Sequence, residues 1–339
     1  MFGKRRSTDT PNRGLLNFDL ECLEQRQMLA GDVGVALSGD TLVVSGDDDG
    51  NRIEVVIDAN TITLEGRGTD INGGRDPVVF NADDVAQIDV DLFGGNDRFE
   101  FVTDGDAGAI GDSLEAIQVF TGDGNDQVTF ELTDWESGLD LLNVGTGNGN
   151  DRFTFEADNF DAFFDDGFGL FTGEGSDRVE IELGNSSDID AEAFFVDSGG
   201  GRDRLNLQLD RSEIFGERID LLTGGDRDQV NFEIVDSGLE AEVLNIDTGN
   251  DSDRLEIELS EFSEVSAQDS LFVSTGSGDD RVNITAEEQA FIETEFLINI
   301  STGEGRDQIE LAADGGILVS EEDLVIDSGN GDDLSLIHI

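Results

Sequence analysis

Tyrosine is absent from this 339-residue chain, cysteine, histidine and tryptophan occur once each, and proline and methionine twice. A single cysteine, Cys22, permits no internal disulfide, and a single histidine, His338, leaves His-dependent catalytic dyads, triads and Cys/His zinc sites without their parts. Basic residues are scarce too, with 19 Lys and Arg against 79 Asp and Glu and a net charge of −60. Nucleic acid and anionic membrane surfaces are recognised by clustered Lys and Arg, so both are excluded as partners. No stretch of apolar residues is long enough to span a bilayer, so no membrane span is expected.

What the chain does have is 43 glycines, 23 phenylalanines and 37% hydrophobic residues. That apolar content is too high for a disordered acidic tail, so the charge belongs on the outside of something folded. Residues 1–30 differ in kind. Lys4, Arg5 and Arg6 lead into Leu15, Leu16, Phe18 and Leu20, and acids at Asp19, Glu21 and Glu24 break any continuous apolar run of the secretory type. The run Leu20-Glu21-Cys22-Leu23-Glu24-Gln25-Arg26-Gln27-Met28-Leu29-Ala30 resembles the N-terminal sorting segment, of the form LExLExRxLLA, found on extracellular proteins of planctomycete bacteria. That resemblance implies export, to the cell surface or beyond; an amphipathic helix at a domain edge is the plainer alternative.

A turn of the form Thr/Ser-Gly-x-Gly-x-Asp organises the rest. Ten copies end at Asp97, Asp126, Asp151, Asp177, Asp203, Asp228, Asp253, Asp280, Asp307 and Asp333, the first one residue short, with spacings of 29, 25, 26, 26, 25, 25, 27, 27 and 26 residues. Apolar residues alternate before each turn, as in Ile219-x-Leu221-x-Thr223, and after it, as in Leu205-x-Leu207-x-Leu209. Period-two alternation is the strand signal, and a fixed period of this length marks stacked structural repeats. The pattern predicts an all-β parallel β-helix or β-roll solenoid over residues 86–339, with coils of about 26 residues. Each coil reads as strand, Gly turn, strand and an acidic connection. Residues 31–85, with looser strand signals, read as an N-terminal cap. The apolar run after Asp333 would leave a bare sheet edge, which points to a chain that continues beyond residue 339, with an edge on which a partner stacks as the alternative.

The turns resemble the nonapeptide calcium repeats of RTX, or hemolysin-type, proteins, GGxGxDxUx. The best matches are Thr121-Gly122-Asp123-Gly124-Asn125-Asp126, Thr146-Gly147-Asn148-Gly149-Asn150-Asp151 and Thr275-Gly276-Ser277-Gly278-Asp279-Asp280. The resemblance implies Ca²⁺ ligands at the ten turn aspartates and at Gly122, Gly124, Gly147, Gly149, Gly173, Gly175, Gly199, Gly201, Gly276, Gly278, Gly303 and Gly305. The chemistry is sound in outline, because calcium takes six to eight oxygens and glycine turns present carbonyls beside a carboxylate. This chain departs from that family in having one motif per coil, in placing Asp226 and Asp251 where a glycine is expected, and in following the Asp with Arg98, Arg152, Arg178, Arg204, Arg254 or Arg281 in six copies. Two metal-free readings stand beside it: Asx-type hydrogen bonds closing the turns, and arginine pairing with the turn carboxylates.

The expected function is a secreted or cell-surface, calcium-binding solenoid with a structural or adhesive role and no catalysis, meeting extracellular matrix or surface polysaccharide. The rivals are a polysaccharide lyase or epimerase on a β-helix, in which Arg211 and Arg218 are the nearest approach to a basic site, and a metal-free acidic scaffold adapted to salt. Trp135 reads as packed on the coil beneath, with sugar stacking as its alternative, and Phe160, Phe163, Phe164, Phe168 and Phe171 read as core.

Overall fold

The computed structural model describes residues 31–58, 60–103, 113–287 and 289–338; the segment 1–30 and its sorting motif lie outside them. Among the described residues thirty strands and one 3₁₀ turn make a parallel β-solenoid of about nine turns with roughly 26 residues in each. The expected fold is therefore present.

The coil of residues 204–228 shows how the pattern builds it. Arg204–Asp210 forms the first side, with Leu205, Leu207 and Leu209 turned inward. A corner follows at Arg211, whose φ of 56° lies in the left-handed region, as do those of Asp134, Asn159, Asn185, Asp236 and Glu261 at the same corner of other coils. Asn and Asp tolerate that conformation best, which suits the polar composition of the connection. Glu213–Leu222 supplies two further sides, because its alternation slips phase: Ile214 and Gly216 point inward, Glu217 and Arg218 are both exposed, and Ile219 and Leu221 point inward again. Each full coil thus has three sides where the sequence pattern suggests two. The connection is mostly strand, and its inward residues are one branched aliphatic and one small residue, as in Ile189 with Ala191 and Leu239 with Ala241.

Successive coils pair in parallel and in register. Arg204 to Asp210 lie opposite Gln229 to Val235, and Ile219 and Leu221 lie opposite Leu244 and Ile246. Like residues therefore stack about 4.8 Å apart along the interior, and the aliphatic and aromatic side chains form one continuous core. Trp135 belongs to it, 1% exposed with its ring 6.1 Å from Phe101 and 5.7 Å from Phe160. Phe160, Phe164 and Phe168 are buried, whereas Phe163 and Phe171 are exposed. At the N-terminal end Arg52–Ile57 pairs in parallel with Arg98–Thr103 and so belongs to the stack, while Thr61–Gly66 covers its other edge in antiparallel pairing.

Glycine at the turns is a steric requirement. A Cβ on Gly149, at φ 151°, would stand 1.3 Å from the carbonyl oxygen of Gly124, and one on Gly147, at φ 88°, 2.1 Å from that of Gly122. Asp226 and Asp251 occupy the position of Gly149 in their coils by adopting φ of 76° and 80°. The substitution Gly149→Ala is expected to destabilise the fold by about 3 kcal/mol or more. Gly225→Ala, in a turn where a Cβ meets nothing within 4 Å, is expected to change stability by less than about 0.5 kcal/mol. Urea unfolding of the two variants checks both values.

Candidate functional site: the aspartate column

The sequence-predicted metal ligands are brought together, as one column running the length of the solenoid. The turn aspartates face inward at the corner between the third and first sides, and those from Asp97 to Asp307 are at most 4% exposed. Each carboxylate Oδ1 accepts the backbone N–H of the equivalent aspartate in the preceding coil. Asp97 N–H donates to Asp126, Asp126 to Asp151 and Asp203 to Asp228, each at 2.8 Å, and the series runs on to Asp307 N–H and Asp333 at 3.1 Å. Asn51 stands at the head of the column, donating its N–H to Asp97 Oδ1 at 2.6 Å. Its side-chain amide points back into its own turn, toward the carbonyls of Asp47 and Asp49 at 3.3 and 2.8 Å.

The second oxygen, Oδ2, is buried without a hydrogen-bond donor in Asp97, Asp126, Asp151, Asp177, Asp203, Asp228, Asp253 and Asp307. Asp280 is served by the Thr275 hydroxyl, which donates to its Oδ2 at 2.8 Å. In the turns of Thr121, Thr146 and Thr172 the equivalent hydroxyl donates instead to the carbonyl of the next coil, at 3.2 to 3.3 Å. Loss of water makes several of these carboxyls harder to ionise. Burial is the main cause, and neighbouring aspartates add to it, pushing Asp97, Asp151 and Asp253 up to about 7, Asp228 to about 8, and Asp177, Asp203 and Asp280 to about 6. Asp126 is raised for the same reason.

This arrangement fits a calcium cage poorly. Oδ1 is committed to a backbone N–H, Oδ2 is enclosed, and the glycine carbonyls of one coil abut the glycine Cα atoms of the next. Among the described residues no group of three or more His, Cys, Asp or Glu side chains is gathered to hold a metal ion. The arginines that follow the aspartates do not pair with them either. They lie outward on the first side, and several reach glutamates: Arg254 meets Glu256 at 2.7 Å, Arg98 meets Glu100 at 3.6 Å, and Arg152 and Arg178 both meet Glu180, whose carboxyl is held below its ordinary range by Arg178. Arg211 and Arg218 are similarly held, by Asp210 with Asn185 and by Asp220.

A second ladder, absent from the sequence reading, runs along the first corner. The N–H of Phe160 donates to Ser187 Oγ, that of Ser187 to Ser212 and that of Ser212 to Ser237, at 3.0 to 3.2 Å. The signal for it is the spacing of these serines, each 25 residues after the last. Outside the column a trough of about 570 Å³ crosses the first side, bordered by Glu131, Glu156, Glu182, Asp158 and Asp210. Burial, with Glu100 and Glu156 nearby, raises the Glu131 carboxyl.

Two outcomes follow from the column. Asp151→Ala removes the acceptor of a buried N–H and is expected to cost about 1–3 kcal/mol, whereas Asp151→Asn keeps an acceptor and costs about 1 kcal/mol or less; chemical denaturation separates them. A carboxyl whose pKa is raised in the folded state binds its proton more tightly there than in the unfolded chain. Stability from the column is thus full below about pH 4 and is lost as pH rises through about 6 to 8. Melting temperatures across that range should fall with pH, less steeply in a variant carrying Asp151→Asn and Asp228→Asn.

No family model, curated protein or solved structure matches the chain.

Proposed function

We propose that the chain is a non-catalytic structural or adhesive solenoid, secreted or held at a cell surface, that stands between partners as a rigid acidic rod. The observation that carries this reading is the use made of the repeated polar residues. The turn aspartates and corner serines join coil to coil and are buried in doing so. The arginines nearest to a basic site in the lyase or epimerase reading are tied to carboxylates and an amide of their own surroundings. An acidic rod also repels uronate chains.

Calcium enters this proposal as a counter-ion. With a net charge of −60 and outward columns such as Glu131, Glu156 and Glu182 in register, divalent cations relieve repulsion between neighbouring coils and bridge the rod to matrix or surface polysaccharide. The buried aspartates need no ion to close the turns.

Circular dichroism and hydrodynamic radius of the chain in chelator, followed by titration with calcium or magnesium at constant ionic strength, test this. The β signature and compact radius are expected without calcium, with both ions raising the melting temperature by similar amounts. A compact state that forms with calcium alone overturns the counter-ion role and returns calcium to the turns. Depolymerisation of acidic glycans by the pure protein overturns the absence of catalysis.

A further inference from the structure

On the third side one outward column reads Asp91, Phe120, Gly145, Phe171, Asp197 in five successive coils, each residue directly opposite the next. Two aromatic rings thus flank a position with no side chain, and a carboxylate stands beyond each ring before the column runs on to Ser45 and Leu222. Neighbouring positions are about 4.8 Å apart, so the backbones of Phe120 and Phe171 are about 10 Å apart across Gly145. The Phe120 ring leans over the glycine, its Cδ1 2.9 Å from where a Cβ would stand, and the Phe171 ring lies over Gly169 and packs on Phe195 with centroids 5.2 Å apart. Between the rings is a cleft of about 230 Å³ floored by the turn glycines. Both rings are exposed, at 42% and 43%.

Size and charge select the occupant. Pockets for free small molecules run to about 300–1,000 Å³, so this smaller cleft is of a size that takes one side chain. Ring faces carry negative potential, acids stand at both ends, and the chain has a net charge of −60, which together favour a cation and reject an anion. Planar, weakly hydrated guanidinium stacks on aromatic faces better than a compact ammonium does. We propose that this cleft binds an arginine side chain presented by a basic polypeptide. The inference goes beyond the scaffold reading and makes no use of calcium, so it is tested in chelator.

The test measures fluorescence anisotropy of labelled hexa-arginine and hexa-lysine peptides with the full chain at about 0.15 M salt, where long-range attraction is largely screened. The arginine peptide is expected to bind more tightly than the lysine peptide. The variant carrying Phe120→Leu and Phe171→Leu, which keeps apolar bulk and loses both rings, should weaken the arginine peptide about 5- to 30-fold. Gly145→Val, which fills the gap, should do the same by a different route. Asp91→Asn with Asp197→Asn should weaken it more than Glu156→Gln with Glu182→Gln, an equal loss of charge on another side. Equal affinity for the two peptides, or unchanged arginine binding in either folded ring or gap variant, overturns the proposal and leaves only the general acidic field.

Discussion

The structure depends on one hydrogen bond repeated along its axis, from the backbone N–H of a turn aspartate to the carboxylate of its counterpart in the next coil. A tight turn leaves backbone groups that strand pairing alone does not reach, and in a buried corner no water can satisfy them. The carboxylate does so without adding a residue to the coil. Since the bond joins equivalent residues, it fixes the register of every coil against its neighbour, and the apolar columns stack because the turns do. The raised pKa of many of these carboxyls has the same origin, because an oxygen enclosed without a donor is less costly neutral than charged.

Much of this was legible in the sequence. The turn spacing and the alternation around it point to a parallel solenoid with coils of about 26 residues, and the inward residues at 205, 207 and 209 are those the alternation selects. The second side is harder to see, since Ile214-x-Gly216 offers one large apolar residue and a glycine, and the phase slip at Glu217 and Arg218 breaks the count. The aspartates are harder still. An Asp beside turn glycines is the right residue for a calcium ligand and equally right for capping a backbone N–H; the choice depends on whether the carboxylate points out of the stack or along it, which no spacing reveals.

The aromatic column shows a different limit. Phe120 and Gly145 are unremarked one at a time and Phe171 reads as core; being 25 and 26 residues apart, the three acquire their meaning only when parallel pairing sets them side by side on the outer face. Repetition of this kind makes the exceptions informative. A glycine among side chains, or an asparagine at the head of a row of aspartates, marks the place where a coil does something its neighbours do not.

The coil-to-coil joint also has a mechanical character. Arg204–Asp210 faces its neighbour through seven register pairs and Glu213–Leu222 through nine. A load that pushes or pulls squarely along the axis meets all of these bonds together with the turn and corner ladders. A load applied through an end of the chain meets them one after another, as a zipper is opened, and each released coil uncovers the next. Such a stack resists compression far better than it resists being drawn out by its chain ends.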